Sequence, residues 1–192
     1  MKNVLYFLFF LCGLVFGQDE SYEKLFVVID SRDNQRYPAV KIGDYVWMTK
    51  NLNYDPGIFQ KSWCNDCKIY GRLYDWETAK KACPVGWHLP SRMEWNDLIR
   101  TAGYASRLRS SKWNNGVDDF EFAALPGGYL FSSGLMGANY HKTGDAGYWW
   151  TSTDDGNGTA VGKYMGVDYD DVPEWSQRKT QGFSVRCVKD RN

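Results

Sequence analysis

The sequence predicts an α+β fold with two short helices, small antiparallel sheets and long irregular loops. Three observations carry the prediction. Two helical patterns stand close together between positions 75 and 103, short apolar and aromatic runs fill the second half, and Gly, Asp, Asn and Ser separate those runs. Helices grouped early and strands grouped late describe elements that segregate rather than alternate, which argues against a parallel βαβ sheet.

In chain order, Val27, Val28 and Ile29 mark a strand over Leu25 to Asp30. Ala39 to Ile42 and Tyr45 to Thr49 flank Gly43-Asp44, and apolar alternation on both sides of a two-residue turn predicts a hairpin. Asp75 to Ala82 is a short helix stopped by Pro84 and Gly86. Ser91 opens the second helix with Glu94 three residues on, a capping box. Trp95, Leu98, Ile99 and Ala102 recur at helical spacing, and Gly103 ends the run. Phe120 to Leu125, Gly147 to Thr153, Ala160 to Val167 and Gly182 to Val188 read as strands. Because no low-complexity linker or fixed-period repeat interrupts the chain, residues 25–190 are expected to form one domain, after a loose lead-in over 18–24.

Residues 1–17 are set apart as an export signal. Lys2 gives a positive start, Val4 to Phe16 is almost wholly apolar, and Val15 and Gly17 suit a cut before Gln18. The stretch is shorter than the roughly 20 apolar residues of a membrane helix. Phe10 and Leu11 stand before Cys12 where a lipidated cysteine would have small residues, so cleavage is preferred to lipidation, and the mature chain is expected to have no transmembrane span. The expected localisation is secreted or cell-surface. Of 192 residues, 43% are hydrophobic and 17% aromatic, which suits a folded core rather than disorder. With 23 basic against 23 acidic side chains, the chain offers no electrostatic footprint for nucleic acid.

Removal of the signal leaves Cys64, Cys67, Cys83 and Cys187, and an even count in an exported chain reads as two disulfides with three possible connectivities. Proximity along the chain favours Cys64 with Cys67 and Cys83 with Cys187. A redox centre is disfavoured because no strand precedes Trp63 and Gly71 interrupts the following segment. A four-cysteine zinc site would need a second close pair, which Cys83 and Cys187 do not make.

The strings VKIGDYVWMTKNLNY, YGRLYDWETAKKACPVGWHLPSRMEW, FAALPGGY, GYWWTST and GFSVRCVKD occur in this order from position 40 to 190. In this the chain resembles the Fibrobacter succinogenes major paralogous domain, an exported bacterial family similar in layout to C-type lectin-like and sulfatase-modifying-factor folds. The resemblance implies a C-type lectin-like domain, in which a cysteine after the first helix pairs with one in the last strand. Cys83 and Cys187 would take those places. It also implies ligand binding through loops ahead of the final strands, within about residues 132–181. The lectin calcium-sugar tripeptides are missing from this chain, and WWTSTDDG stands where Trp-Asn-Asp would be sought.

Two residue sets in that half suggest binding. Asp168, Asp170, Asp171 and Glu174 follow one strand, and hard cations take six to eight oxygen ligands, so calcium is a candidate cofactor there. Tyr140, Asp154, Asp155, Asn157, Tyr169 and Trp175 are candidate ligand contacts, since aromatic rings and loop carboxylates serve sugars or peptides well. Trp175 and Tyr169 are expected at the surface, and Trp149 or Trp150 in the core, because adjacent strand residues face opposite ways. Asn157 also opens a glycosylation triplet with Gly158 and Thr159. No Gly-x-Ser-x-Gly, His-Glu-x-x-His or phosphate loop occurs, and His88 and His141 are too separate for an evident catalytic pair. The expected function is a non-catalytic recognition domain for a polysaccharide, cell-envelope component or protein. A carbohydrate-active or cysteine-dependent enzyme and a purely structural envelope protein are the alternatives.

Overall fold

In the computed structural model, which describes residues 22–132 and 138–190, few short helices accompany several mainly antiparallel sheets, an α+β arrangement. The segment 1–17 expected as an export signal, and the lead-in as far as position 21, lie outside the described residues. One sheet places β1 (Tyr22–Ile29), β2 (Arg36–Ile42), β3 (Tyr45–Met48), β13 (Val188–Lys189) and β6 (Trp87–His88) side by side. The other runs β11 (Glu174–Arg178), β10 (Thr159–Gly166), β9 (Ala146–Gly156), β12 (Phe183–Ser184), β5 (Leu73–Tyr74) and β4 (Ser62–Trp63). A separate hairpin, β7 (Tyr129–Ser132) with β8 (Ala138–His141), meets this sheet through a bridge between Leu130 and Gly182.

Local chemistry accounts for the elements that the pattern anticipates. Ile42 pairs with Tyr45 across Gly43-Asp44, and Gly43 takes a φ of 57° that an L side chain rarely adopts. Helix α2 (Trp76–Ala82) starts where the Asp75 side chain accepts the Thr78 N–H. Helix α3 (Arg92–Ala102) carries the full capping box of Ser91 and Glu94 and ends at Gly103. A further one-turn helix, α1 (Cys67–Tyr70), which the sequence reading did not expect, opens on the second cysteine of the close pair. Tyr22 to Lys24, expected to be loose, already belong to β1.

The central strand β9 is coated on both faces. Trp149 enters one core with Trp47, Val188 and the α3 residues Trp95, Leu98 and Ala102. Trp150 enters a second core with Met48, Cys187, Phe183 and the α2 residues Trp76, Ala79 and Ala82. Neighbouring residues thus alternate between two cores, which explains why both tryptophans are fully buried where one was expected.

Two expected strands are corrected. Phe120 to Leu125 forms only an isolated bridge between Ala124 and Arg109. Glu121 and Ala123 take φ of 52°, and the Phe122 and Ala123 carbonyls accept hydrogen bonds from the buried Arg186 instead of a neighbouring strand. Gly182 to Val188 is two strands in two sheets: β12 pairs with β5 and β9, whereas β13 pairs with β3 and β6. Between them Cys187 is bonded to Cys83, just past α2, while Cys64 is bonded to Cys67, the pairing favoured by chain proximity. Within the 132–181 span expected to carry the binding loops, β8 and β11 add strands beside β9 and β10, which the pattern anticipated.

Candidate functional site

On one face of the six-stranded sheet the second core grades outward into a run of aromatic rings that reaches the surface at Tyr169. Trp150 stacks on Phe183 at 4.2 Å in full burial, and Phe183 stacks on Trp175 at 5.9 Å. From Trp175 the rings continue outward to Tyr148 at 5.3 Å and Tyr129 at 5.3 Å. Tyr148 and Tyr164 are cross-strand partners and stack at 5.5 Å. Tyr169 then meets Tyr164 edge-on and is 41% exposed. The sheet register makes this possible, since Tyr148, Trp150, Gly162, Tyr164 and Trp175 all project to one face. Gly162 belongs to the construction: a Cβ there would lie 2.7 Å from the Phe183 ring.

The aromatic face ends at an open cavity of about 340 Å³ walled by Tyr148 and Tyr169 together with Lys142, Asp145 and Asp168. Burial pushes the Tyr148 hydroxyl up to about 12 and, with a bond to Tyr164, raises Tyr169 further, so both rings keep neutral hydroxyls that donate and accept. Arg109 holds the Tyr169 segment in place from below. Its buried guanidinium donates to the Gly166 and Tyr169 carbonyls and to the Asp170 carboxylate. Apolar ring faces beside a carboxylate pair and an ammonium can hold a polyhydroxylated molecule by its C–H face and its hydroxyl edge.

The predicted ligand contacts are divided. Tyr169 and Trp175 join this face, although Trp175 is half-buried rather than exposed, because it packs on Phe183. Tyr140 lies on β8, its hydroxyl donating to the Cys64 carbonyl. Asp154, Asp155 and Asn157 sit at the far tip of the same hairpin, six residues along β9 from Tyr148, about 20 Å at strand rise. There Asn157 and Gly158 take φ of 50° and 79°, the pattern of an Asn-Gly hairpin turn, and Asp154 pairs with Lys179 at 2.6 Å.

The four acids expected around calcium do not converge either. Glu174 is bound by Arg92 and by the buried Lys163, whose Nζ is 2.8 Å away; the Arg92 bonds hold its carboxyl below the usual range. Asp170 accepts from the Ser106 N–H and hydroxyl at 2.5 and 2.7 Å, while Asp168 faces the cavity. Among the described residues, no three His, Cys, Asp or Glu side chains gather as a metal site, so the donor set does not fit a lectin-type calcium ion. Tyr129, Asp145 and Arg109 are additions that the sequence reading missed; only Tyr129, inside FAALPGGY, lay in a string that stood out.

A profile of the Fibrobacter succinogenes major domain family matches residues 40–189. The chain belongs to this family. The Fibrobacter succinogenes major domain thus includes the two disulfides, the first core, all of the second core's buried residues but Tyr37, and every residue of the aromatic face and its cavity. No curated protein and no solved structure matches the chain. Among the described residues of the domain, no helix is long and apolar enough to cross a membrane.

Proposed function

We propose that this member of the family is an exported, non-catalytic recognition domain that binds a saccharide chain across the aromatic face at the β9–β10–β11 edge. The observation that carries the reading is the run of rings from buried Phe183 out to exposed Tyr169, opening on a cavity with Asp145, Asp168 and Lys142. Stacked rings anchored in a core offer rigid contact area with little conformational entropy to lose. A C-type lectin-like arrangement fits the tie from the end of α2 to the last strands through Cys83 and Cys187. Export fits the N-terminal apolar segment and two disulfides.

The test is binding of the purified protein to immobilised glycans and insoluble polysaccharides, with calcium and with chelator, beside Tyr169→Ala. Tyr169 is largely outside the cores, so the variant keeps its melting temperature. Affinity for the neutral glycan that binds best falls about tenfold, the effect of losing one aromatic contact of about 1.4 kcal/mol. Chelator leaves the wild type unchanged, because Asp170 and Glu174 are held by protein cations and no three acidic side chains gather among the described residues. Undiminished binding by Tyr169→Ala, or no neutral glycan bound at all, overturns the reading.

A further inference from the structure

We infer that a second site, in the cleft between β2, α1 and the 110–125 loop, binds an acidic saccharide through a ring of uncompensated cations. The cleft encloses about 460 Å³, within the size range of small-ligand pockets, and lies outside the aromatic face. Arg36, Lys50, Lys68 and Lys112 line it from four different segments, against one carboxylate, Asp118. None of these four cations forms an ion pair with a described residue, whereas Arg32, Arg72, Arg92, Arg107, Arg109, Lys163 and Lys179 all do. In a chain with equal numbers of acidic and basic side chains, four unpaired cations about one concavity are a local excess that focuses positive potential on the cleft.

Charge alone would suit any anion, and the polar wall narrows the class. Asn53 lines the cleft, and its Oδ1 is buried without a hydrogen-bond partner. A buried amide oxygen left unpaired is costly, and only a donor satisfies it. A ligand that carries negative charge for the cations together with hydroxyl groups to donate suits both features. Uronic acid and sulfated sugar units combine both.

The framework around the cleft is fixed. Asn51 anchors the adjacent segment, its amide donating to the Tyr70 carbonyl at 2.8 Å. Gly71 permits the close approach of α1, since a Cβ there would meet the Asn51 Cβ and the Leu52 carbonyl at 2.8 Å. The cations at the rim are exposed, so substituting them leaves both cores intact.

Titration calorimetry of the full-length protein decides the matter, with four probes: an oligogalacturonate, a sulfated disaccharide, a neutral galacto-oligosaccharide and inorganic sulfate. One or both acidic saccharides bind with an affinity that falls as salt rises, and the two arms tell carboxylate from sulfate ester. Lys50→Gln combined with Lys112→Gln weakens that binding at least about tenfold, the effect of one charge-assisted hydrogen bond. Lys50→Arg with Lys112→Arg restores it, and Tyr169→Ala leaves it unchanged, which separates this site from the aromatic face. Should the double Gln variant not fold, Lys68→Gln alone carries the same expectation. Equal affinity for the neutral oligosaccharide or for inorganic sulfate overturns the inference, as does acidic-glycan binding indifferent to the lysine variants.

Discussion

Arg186 places a guanidinium in full burial between the two cores, and its hydrogen bonds organise three segments. It donates to the Met48 and Phe122 carbonyls and, through Nε and Nη2, to the Asn51 Oδ1 at 3.1 and 2.9 Å. The same Asn51 oxygen accepts from Trp149 Nε1 at 2.8 Å. Burial depresses the Arg186 pKa to about 9, and the nearby carboxylate of Asp118 pulls it back only in part. That value still lies above neutral pH, so the residue stays charged, its N–H groups met by carbonyl and amide oxygens. Arg186→Met keeps much of the volume but strips the Met48 and Phe122 carbonyls of their donor. It also leaves Asp118, already pushed up to about 6 by burial, without its neighbouring cation. Loss of such a buried network is expected to cost about 3 kcal/mol, read as a lower urea midpoint at unchanged slope. A loss below about 1 kcal/mol would show that water replaces the guanidinium.

Strand β6, helix α3 and the end of the described chain are pinned together by His88. Its ring nitrogens meet Glu94 Oε1 at 2.9 Å and Asp190 Oδ1 at 2.5 Å, and Glu94 is also the residue that closes the α3 capping box. The Glu94 bond, aided by Asp190, raises the His88 pKa above its ordinary 6.5. A histidine whose folded pKa is raised contributes stability that is full below its unfolded value and is lost as pH rises through the folded one. Because the ring is partly exposed, solvent screening holds the effect to under about 1 kcal/mol. Melting temperatures of wild type and His88→Phe, compared from pH 6 to 9, should converge as pH rises. A constant gap across that window would sink the assignment. The capping box was legible from Ser91 and Glu94 because both partners lie within one turn, and the Gly43-Asp44 hairpin was legible for the same reason. His88 with Asp190 was not, since 102 residues separate them. Distance along the chain also hid the fate of Phe120 to Leu125. Its carbonyls are claimed by an arginine more than 60 positions away, which no local pattern announces. The acidic run from Asp168 to Glu174 looked like a cation site for the same reason: Arg92, Arg109 and Lys163, which pair with Glu174 and Asp170, come from other elements.

At the scale of the molecule, two cores share the strands that divide them, and the chain crosses from one sheet to the other between β12 and β13. Cys187 lies in that crossing, facing the second core, while Val188 faces the first. Its bond to Cys83 spans 104 positions and joins the end of α2, which roofs the second core, to the crossing itself. The other bond spans only three positions and closes the turn that leads into α1 at Cys67. In the chain-entropy view, a closed loop of this larger size restricts the unfolded chain by about 4.7 kcal/mol. A loop of a few residues restricts it far less. The cysteine spacing suggested this asymmetry, and the fold adds a native-state reason, because the long staple secures the only passage between the sheets made by the final segment. Replacing Cys83 and Cys187 together by Ala should therefore lower the guanidinium midpoint severely or abolish folding. The matching change at Cys64 and Cys67 should leave the cooperative transition in place with a small shift. Equal losses from the two double variants would mean that the 104-residue closure is already approximated in the unfolded chain, and that the crossing is held by its burial rather than by its covalent bond.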